Sequence, residues 1–271
     1  MKEEEILRQQ PFRNIMGRII DAISLQKKGA ISGETFKVIS KTGKSYKLRY
    51  CTGLLKARKI ERNVKLFPKA FPLFYGREGR YLLFDWIEGK SLGKEVSLDS
   101  CYQIGKLAGE IHAKEELDST QDIDQFFNRI LANISKSEIF DKETLAKIEL
   151  KYKKMKKGLK IDLVLELDDL HPGNMILDDK GKVYYVDEEG FTHRIKGLGL
   201  AKPFLTREWM KSKEQQEAFW KGYHEHHSSD YFDLDYQRFV AFLQYLRAIS
   251  TRIKTGEDYL QEKEIILKMI Q

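Results

Sequence analysis

Hydrophobic spacing separates an N-terminal third with strand patterns from a longer remainder with helical patterns. After an N-terminal helix, β-branched and aromatic residues fill 34–51 around a polar turn at Lys41–Lys44, which predicts a β-hairpin. Residues 54–67 have helical spacing and are followed by Pro68, which ends the helix. Two further short strands are predicted on either side of a glycine turn at 76–79. The expected order is therefore helix, strand, strand, helix, strand, strand.

The remainder of the chain, after Gly89, is helical by its spacing with one interruption. Residues 101–112 have helical period, and the apolar positions of 239–249 form a stripe that predicts a core-facing helix. Two short apolar or β-branched runs, 163–165 and 183–186, flank a Pro-Gly loop and a polar turn. We therefore expect a mainly helical region that carries a small β-structured loop.

Composition adds limits to this picture rather than a function. Hydrophobic residues make up 41% of the 271 residues, enough for a large core, and no run approaches the roughly 20 apolar residues of a membrane span. The net charge of +7 would suit a phosphate, nucleic-acid or anionic-membrane partner and does not choose among them. Cys51 and Cys101 have neither metal-ligand spacing nor the density of a disulfide scaffold. These features predict a soluble, cytoplasmic protein with no membrane span.

The densest basic block, 151–160, is interpreted as a solvated helix face, because charge runs on helices are usually solvated. No nucleic-acid partner is therefore expected. His224, His226 and His227 likewise have no second ligand pair at fixed spacing and are interpreted as a surface helix end.

The most informative segment is 167–174, LDDLHPGN, which is followed by Asp187 at the end of an apolar strand. Phosphoryl transfer needs a carboxylate that orients the acceptor hydroxyl and oxygen ligands for magnesium on the nucleotide phosphates. The spacing from Asp169 to Asn174 matches that of a kinase catalytic loop, and Asp187 stands where the later metal-binding aspartate is expected. These three residues are the predicted reaction centre.

The phrase DLHPGN resembles a signature of the aminoglycoside phosphotransferase and choline kinase families, which share the protein-kinase-like fold. The resemblance implies that Asp169 is the catalytic base and that Asn174 and Asp187 hold Mg²⁺. Residues 186–189, VDEE, resemble the Asp-x-acidic form of small-molecule kinases. This form favours a metabolite or drug over a protein as the acceptor.

The resemblance extends to the nucleotide-binding part of the chain. Residues 29–38, GAISGETFKV, resemble the phosphate-covering strand-turn-strand, which places Ser32 and Gly33 at the phosphates. The strand after it resembles the one that bears the phosphate-binding cation. Lys47 and Arg49 lie on one face of that strand, and the choice between them stays open.

Two further nucleotide contacts follow from the resemblance. Glu61, the only acidic residue of the following helix, is expected to pair with the phosphate-binding cation. Residues 84–89, FDWIEG, resemble the hinge, where backbone groups of Asp85 and Ile87 would bind adenine. His112 closes a Leu-x-x-x-His-like pattern on the family's central helix and is expected to be structural.

The implied fold class is α+β: a bilobal protein-kinase-like fold with a small antiparallel-sheet N-lobe and a mainly helical C-lobe. The expected boundaries are 1–84 for the N-lobe, 85–90 for the hinge and 91–271 for the C-lobe. The implied function is ATP- and Mg²⁺-dependent phosphorylation of a hydroxyl on a small molecule. Amine-bearing alcohols are the first acceptors to consider, because the resembling families use them and because acidic residues crowd the predicted site: Asp168, Asp169, Asp187, Glu188 and Glu189.

One departure from the family pattern keeps two alternatives open. The families usually carry His two residues before the catalytic aspartate, where this chain has Leu167. A pseudokinase-like nucleotide-binding or scaffold protein is therefore an alternative. A protein kinase is the other, although residues 190–204 lack the Ala-Pro-Glu anchor expected of one.

Overall fold

A computed structural model describes residues 3–25, 33–93, 96–114, 122–161, 163–167, 169–200, 209–227 and 234–271. The chain forms two compact units. The first unit joins Met1–Glu95 with Pro172–Gly190, and the second joins Val96–His171 with Phe191–Gln271. Each unit is described by itself.

The helices and strands follow one another in the following order: α1 Glu3–Gln9, α2 Arg13–Met16, β1 Ile19–Ser24, β2 Gly33–Ser40, β3 Ser45–Cys51, α3 Leu54–Leu66, β4 Phe74–Glu78, β5 Tyr81–Asp85, β6 Gly89–Ser91, α4 Leu98–His112, α5 Ile123–Ser135, α6 Lys142–Lys156, β7 Leu163–Leu167, a 3₁₀ turn Pro172–Asn174, β8 Met175–Asp178, β9 Val183–Tyr185, β10 Phe191–Ile195, α7 Lys213–Tyr223, α8 Leu234–Thr255 and α9 Leu260–Ile270.

The first unit is built on an antiparallel sheet with the strand order β1-β2-β3-β5-β4. One face of the sheet buries Phe36, Val38, Leu48 and Leu83 in one cluster. On β2 these buried side chains alternate with more exposed ones, whereas the central strand β3 and its neighbour β5 are buried on both faces. The β2–β3 hairpin, α3 and the β4–β5 pair confirm the predicted elements. Gly43 has φ 81° in the hairpin turn, a left-handed conformation that favours glycine.

The N-terminal segment differs from the prediction of a helix leading directly into the hairpin. Helices α1 and α2 are short, and Ile19–Ser24 is an edge strand that pairs with β2. Isoleucines suit either element on a half-buried surface, so the neighbouring strand decided the outcome.

A second, three-stranded sheet of the first unit has the order β6-β8-β9. It places the 3₁₀ turn before β8 and the end of β9 together, because the Val186 N–H donates to the Asn174 carbonyl at 2.8 Å. The Tyr185 N–H donates to the Ala70 carbonyl at 2.8 Å and ties this sheet to the segment after α3. The two predicted metal-ligand positions therefore lie at the same end of one sheet.

The second unit is mainly helical and carries the two-stranded β7–β10 sheet. The predicted stripe on α8 is buried: Phe239, Val240, Leu243, Leu246 and Ile249 lie in one core with residues of α5 and α6. Helices α4 and α7 approach so closely that a Cβ on Gly105 would lie 1.9 Å from the Phe219 carbonyl oxygen. Within the part of the chain that the structure describes, none of the helices combines the length and apolar character needed to cross a bilayer.

Candidate active site

A pocket of about 400 Å³ lies in the first unit. It brings together most of the nucleotide and metal ligands predicted from the sequence: Gly33, Lys47, Arg49, Asp85, Ile87, Asn174 and Asp187. Ser32 and Asp168 lie outside the described residues. Residues from distant parts of the sequence therefore meet at one pocket.

Part of the pocket lining is apolar and includes residues that follow β5. Trp86 and Ile87 form it together with Leu25, Ile176 and Val186. Such a surface suits a flat heterocycle, whose faces need apolar contact while its edge needs a few hydrogen bonds. Ile87 of this apolar lining is one of the two residues expected to bind adenine.

The hydrogen bonds that Asp85 already makes limit which of its backbone groups could contact adenine. Its N–H donates to the Leu73 carbonyl at 2.7 Å, so a backbone contact to adenine would have to come from its own carbonyl. Its carboxylate lies 3.2 Å from the Lys44 Nζ and accepts from the Tyr75 hydroxyl at 3.2 Å. Hydrogen bonds to Tyr75 and Asp85 raise the pKa of Lys44, so this lysine stays charged.

The pocket is also lined by two buried cations from β3. Lys47 and Arg49 are each 8% exposed. Lys47 Nζ donates to the Val186 carbonyl at 2.9 Å and lies 2.5 Å from Glu188 Oε1, while Arg49 contacts both Glu188 and Glu189. Buried charges are tolerated when they are paired in this way.

Glu61 does not pair with either cation, which corrects the predicted contact. Its carboxylate binds Arg77 Nε at 2.5 Å and Lys65 Nζ at 2.7 Å, and these two bonds lower the pKa of Glu61. The reason is local: Lys65 lies one turn further along the same helix, and Arg77 lies on neighbouring β4. Glu188 holds Lys47 instead, a partner that the sequence reasoning missed because it is remote in sequence.

Asn174 and Asp187, the predicted metal ligands, both line the pocket and have side-chain oxygen atoms that could hold a metal ion. Burial raises the pKa of Asp187, and the negative charge of Glu188 adds to the effect. A divalent cation would offset both penalties. The described residues contain no group of three or more His, Cys, Asp or Glu side chains that could hold a metal ion by themselves. Mg²⁺ does not require such a group, because it is commonly bound by one or two carboxylates with phosphates and water.

Asp169, the predicted base, belongs to the second unit and follows β7. Its carbonyl accepts from the His171 N–H at 2.8 Å, and Trp209 Nε1 donates to the Leu170 carbonyl at 3.1 Å. Leu167 is buried at 2% exposure, so this position packs into the core of the unit and offers no side-chain hydrogen bond. The backbone around Asp169 is thus fixed by bonds within its own unit.

A buried polar chain in the same unit was not predicted. His112 Nε2 lies 2.5 Å from Glu166 Oε1, and His112 Nδ1 is 2.8 Å from the Tyr223 hydroxyl. The second oxygen of Glu166 accepts from the Gly199 N–H at 3.1 Å. A charged residue within an apolar strand pattern was the one available signal, since Glu166 interrupts the β7 run. The expectation that His112 is structural agrees with these contacts.

Comparison with known proteins identifies the fold. No protein-family model matches the sequence, and no curated protein matches it either. Among solved structures, choline kinase LicA from Streptococcus pneumoniae is similar over 98% of both chains, with a TM-score of 0.67 and 16% identity. Macrolide 2'-phosphotransferase MphH from Brachybacterium faecium is similar over 98% of both chains, with a TM-score of 0.67 and 12% identity.

Spectinomycin phosphotransferase APH(9)-Ia, solved with ADP and spectinomycin, is similar over 100% of this chain and 93% of its own, with a TM-score of 0.63 and 16% identity. Similarity at these identities defines the fold. The chain therefore has the α+β, bilobal protein-kinase-like fold found in these small-molecule phosphotransferases, and the fold class predicted from the sequence is confirmed.

Proposed function

We propose that this protein is an ATP- and Mg²⁺-dependent phosphotransferase that phosphorylates a hydroxyl group of a small molecule. The pocket of the first unit is the observation that carries the proposal. It combines apolar side chains, two buried cations and two oxygen-bearing side chains, Asn174 and Asp187, within about 400 Å³. Phosphoryl transfer depends mainly on positioning and charge stabilisation of this kind.

Each part of the pocket has a role in this proposal. The apolar side chains contact adenine, Lys47 contacts the phosphates, and Asn174 with Asp187 hold the metal ion. Mg²⁺ bound there would neutralise phosphate charge. Asp169 orients the acceptor hydroxyl and accepts its proton, as the catalytic-loop spacing implies.

The Asp169 role is tested by Asp169→Asn, which keeps the shape of the side chain and removes the proton acceptor. We expect phosphoryl transfer to fall by roughly 100-fold or more, while binding of a magnesium-nucleotide complex stays within about twofold. Asp179→Asn is the matched control, because Asp179 is an exposed turn residue of the same type. Turnover of Asp169→Asn at the wild-type rate would remove Asp169 from the reaction.

The metal-ligand roles are tested separately from the base. Asp187→Ala should abolish the Mg²⁺ dependence of ATP binding. Asn174→Ala should only reduce that dependence, since a carboxylate is the stronger ligand for a hard cation. Isothermal titration calorimetry with and without Mg²⁺ measures both. Equal ATP affinity in both variants and wild type under both conditions would exclude these residues from a metal site.

The proposed acceptor is a small-molecule alcohol. The charge argument for an amine-bearing acceptor is weakened, because Glu188 and Glu189 are paired with Lys47, Arg49 and Lys56. Amine-bearing and neutral alcohols should therefore be screened side by side with Mg²⁺ and a non-hydrolysable ATP analogue. A ligand at 100 times its Kd stabilises the fold by about 2.7 kcal/mol, which thermal unfolding detects.

A further inference from the structure

The phosphate-binding cation of this chain is held by an unexpected carboxylate. Lys47 Nζ contacts the Val186 carbonyl at 2.9 Å and Glu188 Oε1 at 2.5 Å. Val186 and Glu188 are the two residues that flank Asp187. The anchor of the cation and the candidate metal ligand thus lie in one segment of three residues.

We infer that Glu188, and not Glu61 of α3, is the positioning residue that holds Lys47 for the nucleotide phosphates. This inference rests on the proposed function. It also assigns the phosphate contact to Lys47 rather than Arg49, a choice that the sequence left open.

The contacts that the two cations make support the choice of Lys47. An ammonium group has three N–H donors. Among the described residues, Val186 and Glu188 are the oxygen acceptors recorded for Lys47, and the group lines the pocket. One donor direction can therefore serve a phosphate oxygen. Arg49 is instead held between two carboxylates: its guanidinium lies 3.6 Å from Glu188 Oε2 and binds Glu189, which also accepts from Lys56 Nζ at 2.6 Å.

The burial of Glu188 supports its role as an anchor. Its side chain is 0% exposed, whereas Glu61 is 21% exposed and is engaged by Lys65 and Arg77. A carboxylate held in a closed environment fixes the direction of its partner more strictly than an exposed one, which exchanges with water. Glu61 does not line the pocket.

This arrangement has a consequence for α3. In a protein kinase, the lysine is paired with a glutamate from the corresponding helix, so that helix controls activity. Here the lysine is held by the segment that follows β9, so the position of α3 should not control the cation. Changes at Glu188 should affect the chemistry, and changes at Glu61 should not.

The test compares Glu188→Gln with Glu61→Gln, two substitutions that remove one charge and keep the side-chain shape. The readout is phosphate release from Mg²⁺-ATP with water as the acceptor, which needs no knowledge of the natural substrate. We expect Glu188→Gln to lower kcat by at least about tenfold and Glu61→Gln to stay within about twofold of wild type.

A double-substitution experiment separates positioning from a general structural effect. If Glu188 acts through Lys47, adding Glu188→Gln to a Lys47→Met protein should change kcat by less than about twofold, because the interaction is already lost. A merely structural role would lower activity again in the Lys47→Met background. Glu188→Asp, which restores the charge with a shorter reach, should recover part of the lost activity.

The outcomes distinguish this inference from the proposed function. Wild-type protein that neither binds an ATP analogue nor releases phosphate would overturn the proposed function. Active wild type with an unaffected Glu188→Gln variant would overturn only the Glu188 inference. Loss of activity in Glu61→Gln would also overturn it, even if Glu188→Gln failed to fold.

Discussion

Both units of the molecule bury a carboxylate completely, but they surround it with different partners. Glu188 of the first unit contacts the buried cations Lys47 and Arg49, and both cations also line a pocket. Glu166 of the second unit contacts His112 and the Gly199 N–H, and His112 in turn meets the Tyr223 hydroxyl. One set of charges borders an open space, and the other is enclosed by its own unit.

The difference shows that buried polar side chains have different roles at the two sites. In the closed site the polar chain joins α4, β7, α7 and the segment after β10, so its bonds fix the packing of four parts of the unit. In the pocket the charges remain available to a ligand, which is expected of a binding site. We therefore expect removal of Glu166 to affect stability, and removal of charges at the pocket to affect binding and chemistry.

The largest stability effect is expected for Glu166→Ala. This substitution leaves the Gly199 N–H and one nitrogen of His112 without their acceptor inside the unit. Breaking a buried pair in this way typically costs about 3–5 kcal/mol. Urea unfolding followed by far-ultraviolet circular dichroism measures the change.

Glu143→Ala is the control for this prediction, because Glu143 forms an exposed pair with Lys147 and should contribute less than about 1 kcal/mol. A loss below about 1 kcal/mol for Glu166→Ala would mean that the closed polar chain does not stabilise the second unit.

A smaller loss is expected at the other end of the same chain. Tyr223→Phe removes only the hydroxyl that lies 2.8 Å from His112 Nδ1. The loss of one buried hydrogen bond should cost about 1–2 kcal/mol. The same unfolding measurement applies, with Tyr259→Phe as a control on another helix boundary. Equal stability of Tyr223→Phe and wild type would confine the polar chain to His112, Glu166 and Gly199.

A substitution at the pocket should have the opposite effect on stability. In the absence of Mg²⁺, Asp187→Asn should stabilise the protein by about 1 kcal/mol, because it removes a charge that burial and Glu188 disfavour. A raised pKa means that the folded state binds the proton more tightly than the unfolded state. The contribution of Asp187 to stability is therefore largest below its ordinary pKa and falls as pH rises through the raised value.

Because the pKa of Asp187 is raised, the effect of Asp187→Asn on stability should depend on pH. The stability advantage of Asp187→Asn over wild type should grow as pH rises above the ordinary aspartate range and then become constant. Urea unfolding of both proteins in metal-free buffer at several pH values provides the curve. An advantage that shrinks with increasing pH would contradict the raised pKa.

The smallest effect concerns the reaction rates of two buried thiols, one in each unit. Cys51 lies at the end of β3 and Cys101 lies on α4, and both thiols are buried. Burial raises the pKa of Cys51 and raises that of Cys101 to about 11. Both should therefore react with a thiol reagent on the order of 100-fold more slowly in the folded protein than in the unfolded chain.

Labelling of Cys51→Ser and Cys101→Ser proteins in increasing urea would follow one unit at a time. We expect the Cys51 thiol to react at lower urea than the Cys101 thiol in the ligand-free protein, because the first unit holds its buried charges beside an open pocket. A nucleotide analogue with Mg²⁺ should delay the reaction of Cys51. Simultaneous reaction of both thiols would show that the two units unfold together.

The sequence by itself determined the elements whose signals are local. The β2–β3 hairpin, helix α3 and the buried stripe of α8 follow from spacing and turn residues within short windows. The spacing of Asp169, Asn174 and Asp187 likewise predicted a reaction centre, and Lys47, Arg49, Asp85 and Ile87 were predicted around a nucleotide. The structure places all of these except Asp169 at one pocket of the first unit.

Only the tertiary structure decided which remote side chains meet. Glu188 is 141 positions from Lys47 along the chain, and no local pattern distinguishes it from Glu61 as a partner. The tertiary structure also decided the pairing of His112 with Glu166. It likewise decided that Ile19–Ser24 is an edge strand. Spacing along the chain sets the direction in which a side chain points, whereas the partner of a buried charge depends on which distant segment the fold brings against it.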